Sequence, residues 1–189
     1  MNEILKVIKE RRSIRKYLPQ QIKDEDLSLI LEGATFAPSG HNAQPWHFTV
    51  IQNKELLDHL SNKTKEYMSK AETDWIIKMG TNEKYHLFHN APTVIIVSGL
   101  KESNKELPYS PMADCSAAIQ NMLLIAQSLG IASCWVGLTT FLFEHKEDYK
   151  QLNIPADYTP LFAIPLGYSA ITKEITPLER RENIVNYIK

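Results

Sequence analysis

The chain has 189 residues, 43% of them hydrophobic and 23% charged, with a formal net charge of −1. That length and balance suit one sizeable core, and the near-neutral charge argues against nucleic acid or an anionic membrane as the main partner. Apolar runs such as TVIIV and MLLIA are far too short for a bilayer span.

The N-terminus, MNEILKVIKERRS, lacks the continuous apolar core of a signal peptide. Ile4, Leu5 and Ile8 instead recur at helical spacing over residues 2–10. A second helix is predicted over 24–36: its first turn is acidic (Asp24, Glu25, Asp26), its apolar face is Leu27, Ile30, Leu31 and Ala34, and Pro38 closes it. A dense loop, FAPSGHNAQPWHF, leads into a strand at 47–51, with Trp46 read as a core aromatic. Residues 54–90 read as helical pieces, with 62–90 as an excursion or lid on a single domain spanning 1–189.

TVIIV at 93–97 reads as a buried strand. The clearest element runs from Pro111 to Leu129, with Ser110 as its cap, Pro111 in its first turn and Gly130 just past its end. It is apolar nearly all round, as in a central or interface helix. SCWVG at 133–137 reads as a strand entering a turn, 143–152 as a short helix, and PLFAIPLGY at 160–168 as a strand interrupted by Pro165. The tail ends in β-branched ENIVNYIK.

The seven glycines never form G-x-G, so a Rossmann fingerprint and a P-loop are absent. ERRSIRKY places Arg11, Arg12, Ser13 and Arg15 together. This is either a solvated basic turn or a phosphate clamp of guanidinium forks and a hydroxyl. In an extended segment residues 11, 13 and 15 share one face. In the 36–48 loop Gly40 permits a bend and Gln44, before Pro45, is expected to be extended. Asn42 and Gln44 carry both donors and acceptors, which suits a heterocycle edge as well as ordinary turn chemistry.

Backbone amides near Val136 and Gly137 can face a cleft. Arg180 and Arg181 can meet Arg11 and Arg12 only if the tail folds back, within the subunit or across a dimer. His86 and His89 fit a surface helix with no metal pattern, Asp114 an early-turn dipole partner, and Cys134 buried filler. Only two cysteines, Cys115 and Cys134, are present, which suggests neither a disulfide framework nor zinc and makes a reducing cytoplasm the expected compartment.

Taken together, RRSIRKY, APSGHNAQPWHF, DCSAAIQNMLLIAQSLGIASCWVG, PLGY and the late basic pair, in that order and over nearly the whole chain, resemble the FMN-dependent nitroreductase family. The resemblance implies an α+β fold with a mostly antiparallel central sheet, and a homodimer with exchanged C-terminal tails and two FMN sites at its interface. It implies that Arg11, Arg12 and Ser13 hold the FMN phosphate and ribityl chain, and that Arg15 reaches the pyrimidine edge. Pro38, Ser39, Gly40 and Asn42 come from the other subunit, Gln44 lies near the ring, amides near Val136 and Gly137 face N5 and O4, and Arg180 and Arg181 close on the phosphate. NADH or NADPH would pass hydride through flavin N5 to a nitroaromatic, quinone or similar small oxidant by a ping-pong mechanism, with no side-chain acid or base and no metal. Rival readings keep FMN but change the reaction to dehalogenation or flavin breakdown, or make the chain a flavin-binding redox protein without fast turnover.

Overall fold

The computed structural model describes residues 2–101, 110–173, 175–177 and 179–189. Strands β1 (Trp46–Ile51), β2 (Thr93–Leu100), β3 (Ala132–Ser133) and β4 (Tyr158–Gly167) form an antiparallel sheet in the order β1-β2-β4-β3. Packed with it are helices α1 (Glu3–Glu10), α2 (Asp24–Thr35), α3 (Lys54–Met68), α4 (Asp74–Thr81), α5 (Pro111–Ser128), α6 (Thr140–Phe143) and α7 (Lys146–Tyr149). The architecture is α+β, as the motif order implied.

β2 is central and apolar on both faces, which is why TVIIV shows no alternation. Ile95 and Val97 face the core shared with α2 and α5, while Val94 and Ile96 face a second core that holds Leu57, Leu60 and Leu142. α5 lies across the first face and buries Cys115, Ala118, Ile119, Met122, Leu123 and Ala126. α2 packs on α5 so closely that a Cβ on Gly33 would stand 2.8 Å from Ile125 Cγ1.

The end of α5 matches its sequence signal. Gly130 takes a left-handed φ of 73°, Ile131 N–H bonds Ala126 O at 2.8 Å, and Gly130 N–H bonds Gln127 O at 3.1 Å, the pairing of a Schellman cap. The start differs: the Ser110 side chain makes no capping bond, and only its carbonyl accepts the amides of Ala113 and Asp114.

Elsewhere tertiary pairing overrides local pattern. SCWVG is not a five-residue strand: the β3–β4 ladder covers Ala132 and Ser133, and an isolated bridge joins Val136 to Ala163. Pro165 does not interrupt β4, because its carbonyl still accepts Cys134 N–H at 3.2 Å. The predicted 143–152 helix is divided into α6, α7 and a 3-10 turn at Lys150–Leu152. Residues 82–92 are irregular, so His86 and His89 sit in a turn and are half-buried, not on a surface helix.

Candidate functional site

The basic segment after α1 is extended and lies along the sheet edge. Ser13 pairs in parallel with Ser133, Ile14 N–H bonds Ser133 O at 2.9 Å, and Leu18 N–H bonds Tyr168 O at 2.8 Å. Alternation then sorts its side chains. Ile14 is buried, whereas Ser13 and Arg15 are exposed.

Arg12 goes with Ile14. Both line a cavity that also includes Lys9 and Gly130. The Arg12 Nη1 donates to Lys9 O and Arg11 O, each at 2.7 Å, and so satisfies carbonyls at the C-terminus of α1. Its Nε is buried without a partner. The structure thus separates Arg12 from Ser13 and Arg15, which the sequence grouped with it.

On the other face the cations act on one buried thiol. Burial pushes the Cys134 thiol pKa up, while the Arg15 and Arg11 charges pull it down. Arg15 also exerts a field on Tyr17, Tyr85 and His89. Tyr17 is fixed by its hydroxyl, which donates to Ile14 O at 2.6 Å. The Val136 N–H is taken by Ala163 O at 2.9 Å, whereas among the described residues the N–H of the exposed Gly137 has no acceptor. Nothing stands within 4 Å of where a Gly137 Cβ would be. An extended face of cations and a hydroxyl, next to a turn open to a flat ring, fits an elongated anionic ligand with an aromatic end.

The 36–45 loop is built differently from the expectation. Gly40 does not take a positive φ; the bend is made by His41 (53°), Asn42 (55°) and Gln44 (46°). Pre-proline Gln44 is therefore left-handed, not extended. It is held there by its N–H to Ser39 Oγ at 3.0 Å and its Nε2 to Asn42 Oδ1 at 3.3 Å. Left-handed non-glycine residues cost roughly 1–2 kcal/mol each, least for asparagine. Pro38 and Asn42 are exposed beside it.

Gly40 N–H meets the Asp114 carboxylate at 3.3 Å, which pins the loop to the first turn of α5. Arg11, Ser13 and Arg15 lie by Ser133, beyond the far end of that helix. At 1.5 Å per residue the two halves are roughly 20 Å apart along α5. One copy of the chain does not bring them together.

Arg180 and Arg181 are exposed, and Ile184 and Ile188 are 76% and 94% exposed. Exposed apolar residues recur on α1 (Ile4, Leu5, Ile8) and at Phe36, which is 78% exposed. Tyr85, His89 and Cys134 also feel the charge of Arg15, a long-range relationship with no local signature in the sequence. The only hint was the placing of two histidines around the buried pair Leu87 and Phe88.

Comparison with known proteins gives the chain its relatives. The model of the nitroreductase family matches residues 8–168. A protein of Archaeoglobus fulgidus provisionally named NADH dehydrogenase/NAD(P)H nitroreductase is 37% identical over 184 residues, covering 97% of this chain and 95% of the relative. An iodotyrosine deiodinase of Thermotoga neapolitana is 28% identical, covering 99% and 98%. A crystal structure of an FMN-bound nitroreductase from Bacteroides fragilis superposes with a TM-score of 0.89 at 32% identity, covering all of both chains.

Proposed function

The chain belongs to the nitroreductase family, and from that premise we propose that it is an FMN-dependent oxidoreductase that works as a homodimer. The chemistry a bound FMN supplies is two-electron transfer, from NADH or NADPH to a small oxidant such as a nitroaromatic or a quinone, in the alternating order of a ping-pong cycle.

The chain's own residues bind and tune. Arg11 and Ser13 hold the phosphate and ribityl end through charge-assisted hydrogen bonds. Arg15 places a positive charge at the pyrimidine edge and so favours the negative charge that reduction leaves there. The open turn at Gly137 lets the ring lie close and offers its amide. Arg12 contributes by fixing the end of α1.

The observation that carries the dimer is the separation of the two half-sites along α5. A second copy supplies Pro38, Ser39, Gly40, Asn42 and Gln44, and its tail brings Arg180 and Arg181 to the phosphate. The exposed apolar residues of α1, Phe36 and the tail suit burial in such an interface. β1 is an edge strand, open to pairing with a partner's β-branched tail. The chain folds this way as one domain of the cytoplasm, where the buried thiols Cys115 and Cys134 remain reduced.

The deciding experiment is the absorbance spectrum of the purified protein, followed by anaerobic titration with NADH and NADPH and then with a quinone. A yellow protein reduced by a nicotinamide and reoxidised by the quinone is expected. A colourless protein that takes up no added FMN ends this reading. The iodotyrosine deiodinase relative favours one second reading, reductive dehalogenation on the same site. Halide release from an iodinated phenol by the dithionite-reduced protein, without quinone turnover, would select it.

A further inference from the structure

Independently of the flavin reading, we infer that a second hollow binds a neutral heterocycle with a lactam edge, the chemistry of a uracil-type ring. It lies between the start of α3, the turn before β2 and the segment that follows Arg15.

The hollow measures about 380 Å³, within the range of small-ligand sites. No residue assigned to the flavin lines it. Its floor includes the buried Leu57 and Ala91, and its apolar sides are Tyr17, Pro19 and Pro92. The Tyr17 hydroxyl is spent inward on Ile14 O at 2.6 Å, which leaves the hollow the ring. Tyr17 and Pro92 are wedged against β4: a Cβ on Gly167 would stand 3.1 Å from Tyr17 Cδ1 and 2.9 Å from Pro92 Cδ.

Two glutamines at the mouth are held by a single hydroxyl. Thr93 is fully buried, and its Oγ1 donates to Gln21 Oε1 at 2.6 Å and accepts from Gln52 Nε2 at 3.2 Å. Gln21 Nε2 also donates to Pro92 O at 2.7 Å. Fixing an exposed glutamine costs rotamer freedom; here the loss is borne before any ligand arrives. Among the described residues the second Gln21 N–H and the Gln52 Oε1 make no hydrogen bond. The pair is a donor and an acceptor fixed through one atom, and its complement is a ring C=O beside an N–H.

Asp58 adds a second acceptor. Lys54 Nζ holds its carboxylate at 2.5 Å, and His86 Nε2, buried and without an aligned hydrogen bond, lies 3.3 Å from its Oδ1. His86 Nδ1 accepts the amides of Phe88 at 3.2 Å and Asn90 at 3.3 Å, so Nε2 carries the ring proton and turns it toward the carboxylate. His86 is therefore a positioning residue for Asp58. With its proton on Nε2 the ring is no metal ligand on that side, and no metal-binding group of three occurs among the described residues. The charges of Lys54 and Asp58 cancel, so the hollow favours a neutral guest. A pyrimidinedione has the C=O and N–H for the glutamines and a second N–H for Asp58.

The test follows the ¹⁵N-labelled protein, supplied with FMN, as uracil or 1,3-dimethyluracil is added; the latter has both N–H groups methylated. Uracil should shift the side-chain amide signals of Gln21 and Gln52 and bind about tenfold more tightly than the dimethyl analogue. Gln52→Leu should weaken uracil about tenfold and leave dimethyluracil unchanged, while Gln52→Glu, which keeps an acceptor, should retain uracil. Dissociation constants of the two compounds within about twofold of each other in the wild type overturn the inference, and that comparison needs no variant. Absence of shifts at Gln21 and Gln52 overturns it too. So do shifts confined to Gly137 and the Arg15 segment, which would put uracil on the flavin face. None of these readouts depends on whether the protein turns over a flavin, so the two readings fail separately.

Discussion

Arg12 and Arg15 face opposite sides of one extended segment. Arg12 turns back to the carbonyls of Lys9 and Arg11, and the exposed Arg15 pulls the buried Cys134 thiol pKa down.

Substituting the two should therefore give different losses. Arg12→Ala is expected to cost about 1 kcal/mol of folding stability through the freed carbonyls of α1, with little change in FMN affinity. Arg15→Ala should keep the fold and lower the flavin midpoint potential by about 30 mV or more, since 30 mV is about 1.4 kcal/mol for a two-electron couple. Chemical denaturation and spectroelectrochemistry of the two variants check this. An unchanged potential in flavin-loaded Arg15→Ala would remove Arg15 from the ring edge.

Gly80 and Gly137 make a second contrast. A Cβ on Gly80 would lie 2.5 Å from Ser69 N and 2.8 Å from Lys65 O, backbone atoms that cannot swing aside. Gly80→Ala should cost about 1–3 kcal/mol by forcing α4 off α3. A Cβ on Gly137 meets nothing, so Gly137→Ala should stay within about 0.5 kcal/mol of wild type yet weaken FMN, because the methyl occupies the ring's approach. Unfolding midpoints and flavin dissociation constants measured on both variants decide the matter.

His89 gives the fold an acid-side weakness. Burial first, then the charges of Arg15 and His86, hold its folded pKa down from 6.5 to about 4. As pH falls, the unfolded chain binds this proton before the folded one does. The associated stability is complete above pH 6.5 and is lost as pH falls towards 4. By pH 4.5 the loss amounts to about 2 kcal/mol. His89→Gln should remove that component, so urea midpoints of variant and wild type, compared at pH 7 and 4.5, should show the smaller decline in the variant. Equal declines would mean that the ring is solvated at both pH values.

Removing the chain after residue 178 should weaken both dimerisation and FMN retention. The tail's apolar residues and its two arginines are exposed within one copy, and the proposed dimer would give them a place. Light scattering with flavin quantitation on the truncated protein measures both effects. A truncated protein that remains a flavin-loaded dimer would strike Arg180 and Arg181 from the site.

Much of this was legible locally. The cap residues of α5, the acidic start of α2 and the β-branched run of β2 each carry their own cause within a few residues, and each element formed close to where it was read. What was not legible depended on partners distant in sequence. Val136 lost its free amide to Ala163, and of SCWVG only Ser133 stays in the ladder because β4 pairs there so briefly. Gln44 took a left-handed backbone because Ser39 and Asn42 hold it, outweighing the pre-proline preference. The sorting of Arg12 from Arg15 follows from simple alternation, but only once Ser133 has drawn the segment into line.

The seating of the N-terminal segment also sets an order of events during synthesis. Tyr17 bonds the carbonyl of Pro165, 148 residues further on, and Leu18 and Lys16 bond residues 168 and 170. At about 5–20 residues per second, translation leaves that segment without its mates for roughly 7–30 s. The arginine face cannot exist before the last strand emerges, so the cofactor arrives at a chain that is almost complete.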